Sequence, residues 1–299
     1  MIRRLKYHEI DFVKYTECLE SSEQRKYSAA VAFLDIAAFK NWELLVYGDY
    51  EAVMPVPYIR KFGFKIAVNP RLCQQLGIFS RKDDPEINDL FLKSLEKRYN
   101  VWYYAFNDGN AFSQPLQQRK NFLIYPEEYE TVRKKYSPKR KRKLRLDEEV
   151  SAVSEVRDIS MCEAFSFIKD QMIGVKNKKE RDTFLEIYKG FADTGNLAIS
   201  AFLYQNKIIN AIALYRDAKT TALLGTFNDK NYVKLSGSCV VIDYAIRESI
   251  AQRIFDFEGS EIPSVEEFFR GFRPELKPYG VIRNSKTDLF KRGLGLHDF

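Results

Sequence analysis

The chain has 299 residues, of which 45% are hydrophobic and 14% aromatic, and a formal net charge of +7. A chain of this length buries roughly three quarters of the surface that its unfolded form exposes, which is enough for two cores of ordinary size. Its apolar stretches are interrupted before the roughly 20 residues that a membrane helix needs, and its basic start lacks the apolar centre of a secretory signal. We therefore expect neither a membrane span nor export.

Cysteine and histidine are scattered along the chain. The cysteines form no C-x-x-C pair and stand at Cys18, Cys73, Cys162 and Cys239, and the only histidines are His8 and His297. A structural zinc site needs four clustered ligands, and a histidine-based triad needs an imidazole beside its nucleophile, so both are disfavoured. We expect reduced thiols, no metal and a cytoplasmic location.

The first predicted elements in the chain are two strands joined by a polar turn, WELLVYGDYEAVMPVPYI from Trp42. A matching hairpin, LAISAFLYQNKIINAIALY, begins at Leu197. Each hairpin is followed by a helical stretch and a short aromatic strand, VWYYAF at Val101 and RIFDFEG at Arg253, and we expect Trp42 and Trp102 to be core residues. Because the pattern recurs after about 155 residues, it predicts two copies of one α/β unit with a mixed sheet.

A strongly basic segment lies between these copies. The stretch from Arg133 to Arg145, RKKYSPKRKRKLR, carries nine Lys or Arg and no acid, so the rest of the chain sums to 7 − 9 = −2. Ser137 followed by Pro138 is typical of a helix start, because the hydroxyl caps the first turn and proline has no N–H to leave unpaired. Basicity is therefore a local feature.

These features predict three parts of the chain. We expect an N-terminal domain at 1–135, a basic linker helix at 136–149 and a C-terminal domain at 150–299. The last about 15 residues are expected to pack back on the N-terminal domain.

The second half has the clearer order of elements. Apolar residues recur at helical spacing from Phe184 to Phe191, and Gly195 is a suitable residue to end that helix. Three strands follow, then a loop and the amphipathic helix CVVIDYAIRESIAQR, and then the strand IFDFEG. The strands are expected around residues 197–202, 208–216 and 221–227.

The loop KLSGSC, from Lys234 to Cys239, stands between a strand and a helix. Small residues such as Ser236, Gly237 and Ser238 at a helix N-terminus leave backbone N–H groups pointing outward, and the helix dipole adds positive charge. Such a loop can hold a pyrophosphate, with Lys234 adding a full charge. Alternatively, the loop residues only cap the helix.

The loop carries a resemblance to a known family. Its pattern, K-x-x-G-x-C, is similar to the acyl-CoA motif Q/R-x-x-G-x-G/A of the GNAT superfamily, with Lys234 for Gln or Arg and Cys239 for Gly or Ala. The resemblance implies tandem GNAT-like domains, with acyl-CoA as the donor substrate at Lys234 to Cys239.

A second resemblance is to Fem-like and BioF2-like acyltransferases. The segment FDFEGSEIPSVEEFFRGFRPELKPY, from Phe255 to Tyr279, resembles the strand ending in D-F-x-G and the aromatic F-K/R-x-F-G turn of that family. It departs at Arg273, where the family usually has glycine. The first half is also similar, with PVPYIRKFG at Pro55 and NPRLCQQLGIF at Asn69.

Two acids stand at the end of the predicted strand. Asp256 and Glu258 alternate with phenylalanine, so both carboxylates share one face if the strand stays regular. In the chemistry that the resemblance implies, an amine attacks the thioester directly, and such a carboxylate serves as the base or holds the substrate ammonium. Alternatively, Asp256 caps the next turn and Glu258 pairs with Arg270 or Arg273.

Four other residues are candidates for substrate contacts. Tyr279 could protonate the leaving thiolate, and Tyr232 could do so or contact substrate, although a tyrosine is more often a packed aromatic. Gln74 and Gln75 resemble a family segment that lines a cleft between the two domains, and their alternative is an ordinary polar surface.

The leading hypothesis is an N-acyltransferase that moves an acyl group from acyl-CoA to a small-molecule or peptide amine bound in an interdomain cleft. A second hypothesis is Fem-type transfer from aminoacyl-tRNA to a cell-wall precursor, because the basic segment could bind RNA. The segment could also simply join domains or be attracted to an anionic membrane surface. A third hypothesis is a degenerate, non-catalytic binding protein, which the departures from the family motifs suggest.

Overall fold

The structure, a computed structural model, describes residues 2–61, 63–285 and 287. Its strands are β1 (Ile2–Leu5), β2 (Trp42–Tyr47), β3 (Ala52–Lys61), β4 (Phe64–Val68), β5 (Phe79–Ser80), β6 (Asn100–Ala105), β7 (Gln117–Ile124), β8 (Ser154–Ile159), β9 (Leu197–Tyr204), β10 (Lys207–Arg216), β11 (Thr220–Asn228), β12 (Ile254–Asp256) and β13 (Glu275–Arg283). Its helices are α1 (Phe12–Ser21), α2 (Val31–Ala37), α3 (Pro85–Arg98), α4 (Tyr129–Lys135), α5 (Pro138–Lys143), α6 (Glu148–Ser151), α7 (Met161–Gln171), α8 (Lys178–Asp193), α9 (Gly237–Ser249) and α10 (Pro263–Arg270).

The chain forms two compact units. Unit 1 contains the described residues of Met1–Arg119 and Pro278–Phe299, and unit 2 is Lys120–Lys277. The basic segment, including α5, therefore belongs to unit 2. The last residues of the chain were expected to pack back on the N-terminal domain. That prediction depends mostly on residues 286 and 288–299, which lie outside the described residues.

Unit 1 is built on a mixed sheet. Strands β1, β2, β3 and β4 are paired antiparallel in that order, β4 is parallel to β6, and β13 is antiparallel to β6. The short β5 adds to β3. Trp42 is fully buried against the ring of Tyr15, with centroids 5.6 Å apart, as predicted.

The expectation for Trp102 was wrong, because 38% of its surface is exposed. The pairing of β4 with β6 shifts register, so that Ala67 faces Val101 while Val68 faces Tyr103. Trp102 is the extra residue of this bulge, which breaks the strict alternation of buried and exposed positions.

Unit 2 repeats the order of unit 1. Strands β8, β9, β10 and β11 are antiparallel neighbours, β11 is parallel to β12, and β7 is antiparallel to β12. In both units the first strand is followed by two helices, three antiparallel strands, a helix and the parallel strand. This confirms the predicted duplication of a mixed α/β unit.

The β9–β10 hairpin has the turn that its sequence favours. Gln205 and Asn206 have φ values of 49° and 63°, the left-handed conformation that asparagine tolerates and that a two-residue hairpin needs. Helix α9 lies over this sheet and buries Val241, Ile242 and Ile246 in the core of unit 2. This apolar face packs α9 against β9 and β10.

Within the described ranges, none of the helices is long and apolar enough to cross a membrane.

Candidate functional site

The loop before α9 opens the first turn of that helix. A short 3-10 segment, Lys230–Leu235, ends at Ser236, which has φ 58°, and α9 begins at Gly237. The side chain of Ser236 does not cap the helix. The N–H groups of Gly237 and Ser238 therefore belong to the helix donors that have no intrahelical acceptor, and they carry the positive end of the helix dipole.

Gly237 lies directly against β10. A Cβ atom at this position would overlap the side-chain oxygen of Asn210 and lie 2.9 Å from Cδ1 of Phe202. The amide nitrogen of Asn210 donates to Oδ1 of Asn228 at 2.7 Å, and the hydroxyl of Ser238 donates to the same oxygen at 2.6 Å. The loop is thus held against two strands, and only glycine fits at residue 237.

A cavity of about 640 Å³, called here the main cavity, opens at this helix start. Five cationic side chains and one carboxylate line it, which gives a net formal charge of 5 − 1 = +4. The residues that line it are Ser137, Lys139, Arg140, Lys143, Asn210, Asn228, Val233, Ser236, Gly237, Ser238, Cys239, Ser264, Glu267, Phe268, Arg270, Gly271 and Arg273. Cations beside unpaired backbone N–H groups are suited to an anionic ligand.

Arg140 is the buried cation of this cavity, with 6% of its surface exposed. Its guanidinium donates to the sulfur of Cys239 and, at 2.6 Å, to the carbonyl oxygen of Phe268. It lies 4.1 and 4.2 Å from the ring centroids of Phe268 and Phe272. Burial lowers the pKa of Arg140, while Cys239 opposes that effect. The pocket thus contains a desolvated guanidinium that forms no ion pair with a carboxylate of the described residues, and its Nε has no hydrogen-bond partner among them.

Cys239 occupies the last position of the loop motif. Burial raises the pKa of its thiol, although the charge of Arg140 acts in the opposite direction. A thiol with a raised pKa is protonated at neutral pH and is a poor nucleophile. The Cys239 side chain is buried and accepts a hydrogen bond from the Arg140 guanidinium.

Lys234 is exposed and lines a different cavity of about 240 Å³, called here the second cavity. Ser236 and Lys143 line both cavities. The structure thus places Ser236, Gly237, Ser238 and Cys239 together in the lining of the main cavity, whereas Lys234 lines only the second cavity.

The two candidate acids differ in their surroundings. Asp256 is 3% exposed, and its Oδ1 accepts the N–H of Glu258 at 2.8 Å. Strand β12 ends at Asp256, and Glu258 has φ 58°. Because the strand does not stay regular, the alternation that would place both carboxylates on one face does not reach Glu258. Glu258 is partly exposed.

None of the remaining candidates is among the residues that line the main cavity. Tyr279 is 3% exposed and packs with Ala105 and Val281 in unit 1. Gln75, also in unit 1, is buried, accepts the N–H of Asp108 at 3.0 Å and donates to the side-chain oxygen of Gln74 at 2.9 Å.

Tyr232 lies in unit 2, in the 3-10 segment before the loop. Its ring is 6.0 Å from that of Tyr204 and 5.0 Å from the ammonium of Lys207, and it packs against the core. It is not among the residues that line the main cavity.

Strand β11 carries a bulge. Its register with β10 shifts between Ala213 and Leu214, which leaves Leu224 as the extra residue. The hydroxyl of Tyr188 donates to the carbonyl oxygen of Leu224 at 3.3 Å. A bulged residue does not take part in the regular pairing of its strand, so its backbone groups point in a different direction. Strand β11, which carries this bulge, precedes the loop motif in the chain.

Sequence reasoning did not assign Arg140, Asn210 and Asn228 to this site. Asn210 interrupts the apolar run of β10 and Asn228 is the last residue of β11, and these polar residues were an available signal. Arg140 was one of nine similar charges, and nothing local distinguished it. Across the described stretches, no group of three or more His, Cys, Asp or Glu residues could hold a metal ion.

Comparisons with solved structures identify the fold. FemX superposes with a TM-score of 0.66 at 10% identity and covers 93% of this chain and 96% of its own. A tandem GNAT protein from the clavulanic acid biosynthesis pathway has a TM-score of 0.51 at 7% identity, over 94% and 97% of the two chains. This chain has the Fem-like tandem GNAT fold.

The C-terminal domain of a putative lysylphosphatidylglycerol synthetase from Agrobacterium fabrum shares this fold. Its TM-score is 0.51 at 11% identity, over 93% of this chain and 96% of that one. The sequence itself matches no protein-family model and no curated protein at a significant level. The tandem GNAT fold is therefore recognisable here from the backbone more than from residue identity.

Proposed function

We propose that this chain is an N-acyltransferase that takes an acyl group from acyl-CoA and transfers it to an amine. The observation that carries this proposal is the main cavity, which combines the first backbone N–H groups of α9 with a net formal charge of +4. The pyrophosphate of coenzyme A carries negative charge on oxygens that accept hydrogen bonds from N–H groups and cations.

The loop supports the donor side of the proposal. Gly237 brings the backbone against Asn210, and its N–H and that of Ser238 are available to phosphate oxygens. Lys143 and Arg273 add exposed positive charges to the same cavity. In this account Arg140 contributes long-range attraction, since its burial away from water strengthens its field.

The transfer itself needs few protein groups. The acceptor ammonium first gives one proton to a base, and the resulting amine nitrogen bonds to the thioester carbon. The C–S bond then breaks, and the thiolate takes up the second proton that the nitrogen loses and leaves as coenzyme A. Glu258 is the better candidate base of the two acids, because it is partly exposed whereas Asp256 is buried and accepts a backbone N–H. A backbone N–H at the Leu224 bulge is our candidate for polarising the thioester carbonyl.

Isothermal titration of the full chain with coenzyme A and with acetyl-CoA tests the proposal. We expect both to bind, because both contain the pyrophosphate. A folded sample that shows no heat at millimolar ligand overturns the proposal. The double variant Lys143→Ala/Arg273→Ala should bind more weakly, whereas the matched double variant Lys169→Ala/Lys178→Ala, which changes exposed lysines on α7 and α8, should bind as wild type does.

A second candidate donor is aminoacyl-tRNA, with a cell-wall precursor amine as acceptor. Eight of the nine cationic side chains of the basic segment are exposed, all except Arg140, and a run of exposed cations suits a nucleic-acid backbone. Filter binding of tRNA over a salt series separates the two donors. Tight binding that weakens steeply with salt, without any binding of coenzyme A, would favour this candidate.

A further inference from the structure

The second cavity is a basic site that the proposed chemistry leaves unassigned. Four cationic side chains and one carboxylate line it, which gives a net formal charge of 4 − 1 = +3. Its lining residues are Arg142, Lys143, Arg145, Leu146, Asp147, Val150, Lys234, Leu235 and Ser236. Its volume of about 240 Å³ suits a single small group and is too small for a whole nucleotide.

The protein neutralises these charges only in part, because Asp147 is the single carboxylate in the lining. No ion pair or side-chain hydrogen bond joins Arg142, Lys143, Arg145 or Lys234 to any other residue in the part of the chain that the structure describes. Four like charges around one concave surface raise the local potential and concentrate anions there. Two arginines also provide the planar donor pairs that match phosphate oxygens.

The two cavities meet at one turn of the chain. Ser236 and Lys143 line both, so anionic groups bound in the two cavities would lie close enough to belong to one molecule. In coenzyme A, a single ribose carries the pyrophosphate on its 5′ oxygen and a phosphate on its 3′ oxygen. Such a ligand places two anions a few bonds apart.

We propose that the second cavity binds the 3′-phosphate of coenzyme A while the main cavity binds the pyrophosphate. This inference rests on the proposed function, because it assigns a second phosphate of the same donor. It makes the enzyme selective for 3′-phosphorylated coenzyme A over its dephosphorylated form. The specificity comes from Arg142, Arg145 and Lys234, with Lys143 acting on both phosphates.

Titration with coenzyme A and with 3′-dephospho-coenzyme A tests the selectivity. Wild type should bind the dephosphorylated ligand about tenfold or more weakly, since a charge-assisted contact contributes at least that factor. In the double variant Arg142→Ala/Arg145→Ala, coenzyme A should weaken by a similar factor while dephospho-coenzyme A keeps its affinity. The control Lys169→Ala/Lys178→Ala should preserve the wild-type ratio, and circular dichroism should show that each variant is folded.

Each other outcome overturns the inference in a distinguishable way. If wild type binds the two ligands with equal affinity, the second cavity does not bind the 3′-phosphate, whereas the proposed function still holds. An arginine double variant that weakens both ligands equally shows a general charge effect only. If that variant loses tRNA binding and leaves the coenzyme A ratio unchanged, the second cavity belongs to a nucleic acid. If neither ligand binds wild type, the proposed function fails first.

Discussion

Gly237 and Asn210 are in contact across the start of α9, and a Cβ on Gly237 would overlap the side-chain oxygen of Asn210. This contact gives the glycine of the loop motif a structural reason for being there, separate from any ligand. It also means that a substitution at residue 237 tests folding before it tests binding.

We expect Gly237→Ala to lower the free energy of unfolding by about 1–3 kcal/mol, because the added methyl group overpacks a buried site. Urea denaturation of the single variants and of Gly237→Ala/Asn210→Ala forms a double-mutant cycle. Removing the Asn210 side chain should recover part of the loss, although Cδ1 of Phe202 still lies 2.9 Å from the new atom. Strictly additive effects would show that the contact carries no strain.

Arg140 offers a second prediction, in which charge and packing are separated. Arg140→Met keeps the apolar volume beside Phe268 and Phe272, and replacing a buried charge with an apolar side chain is often neutral, so we expect a stability change within about 1 kcal/mol. Arg140→Ala should cost about 2–4 kcal/mol, because it also loses packing. Both should weaken coenzyme A binding. A methionine variant with wild-type affinity would show that the guanidinium does not act on the ligand.

Glu43 provides a pH-dependent test of unit 1. This carboxylate is 1% exposed, binds Arg4 at 2.8 Å, the hydroxyl of Tyr99 at 2.7 Å and the ammonium of Lys65. Burial raises its pKa, but the hydrogen bonds from Arg4, Lys65 and Tyr99 outweigh burial, and the net pKa lies below its ordinary value.

Because the folded pKa is depressed, the stabilisation by Glu43 is complete above its unfolded pKa, near 4.3, and is lost as the pH falls through the folded value. Glu43→Gln should therefore destabilise by about 3–5 kcal/mol at pH 7, and the difference from wild type should shrink in acid. Denaturation across a pH series measures this. A difference that stays constant down to the lowest pH would contradict it.

Much of the fold is present in local sequence patterns. The alternation of apolar and polar residues predicted the β2–β3 and β9–β10 hairpins. Each hairpin is followed by a helical stretch and a short aromatic strand, and this recurrence predicted the duplication. Ser137 does cap α5, since its hydroxyl oxygen accepts the N–H of Arg140 at 3.2 Å. These features depend on neighbours within a few residues, so a single sequence contains them.

The site is harder to predict from the sequence, because it brings together residues that are far apart in the chain. Arg140 and Cys239 are 99 positions apart, and no local pattern separates this arginine from its exposed neighbours. Trp102 was misjudged because a bulge, which depends on the partner strand, changed its face. Arg273, the departure from the family glycine, has φ 58°, so the backbone there keeps the conformation that glycine favours while the side chain adds a charge to the main cavity.

Salt should affect the donor through its phosphates alone. Raising the ionic strength from 0.1 M to 1 M shortens the screening length from about 10 Å to about 3 Å, so coenzyme A should bind several-fold more weakly to the cationic main cavity. Pantetheine, which lacks phosphates, is the matched ligand, and its much weaker binding should hardly change. A coenzyme A affinity that is independent of salt would show that the cations of the cavity do not contact it.

The most direct test is a crystal structure of the chain with coenzyme A bound. We predict pyrophosphate oxygens at about 3 Å from the backbone nitrogens of Gly237 and Ser238, with the Lys143 ammonium beside them. Coenzyme A bound elsewhere on the chain, with no phosphate at the start of α9, would contradict the account.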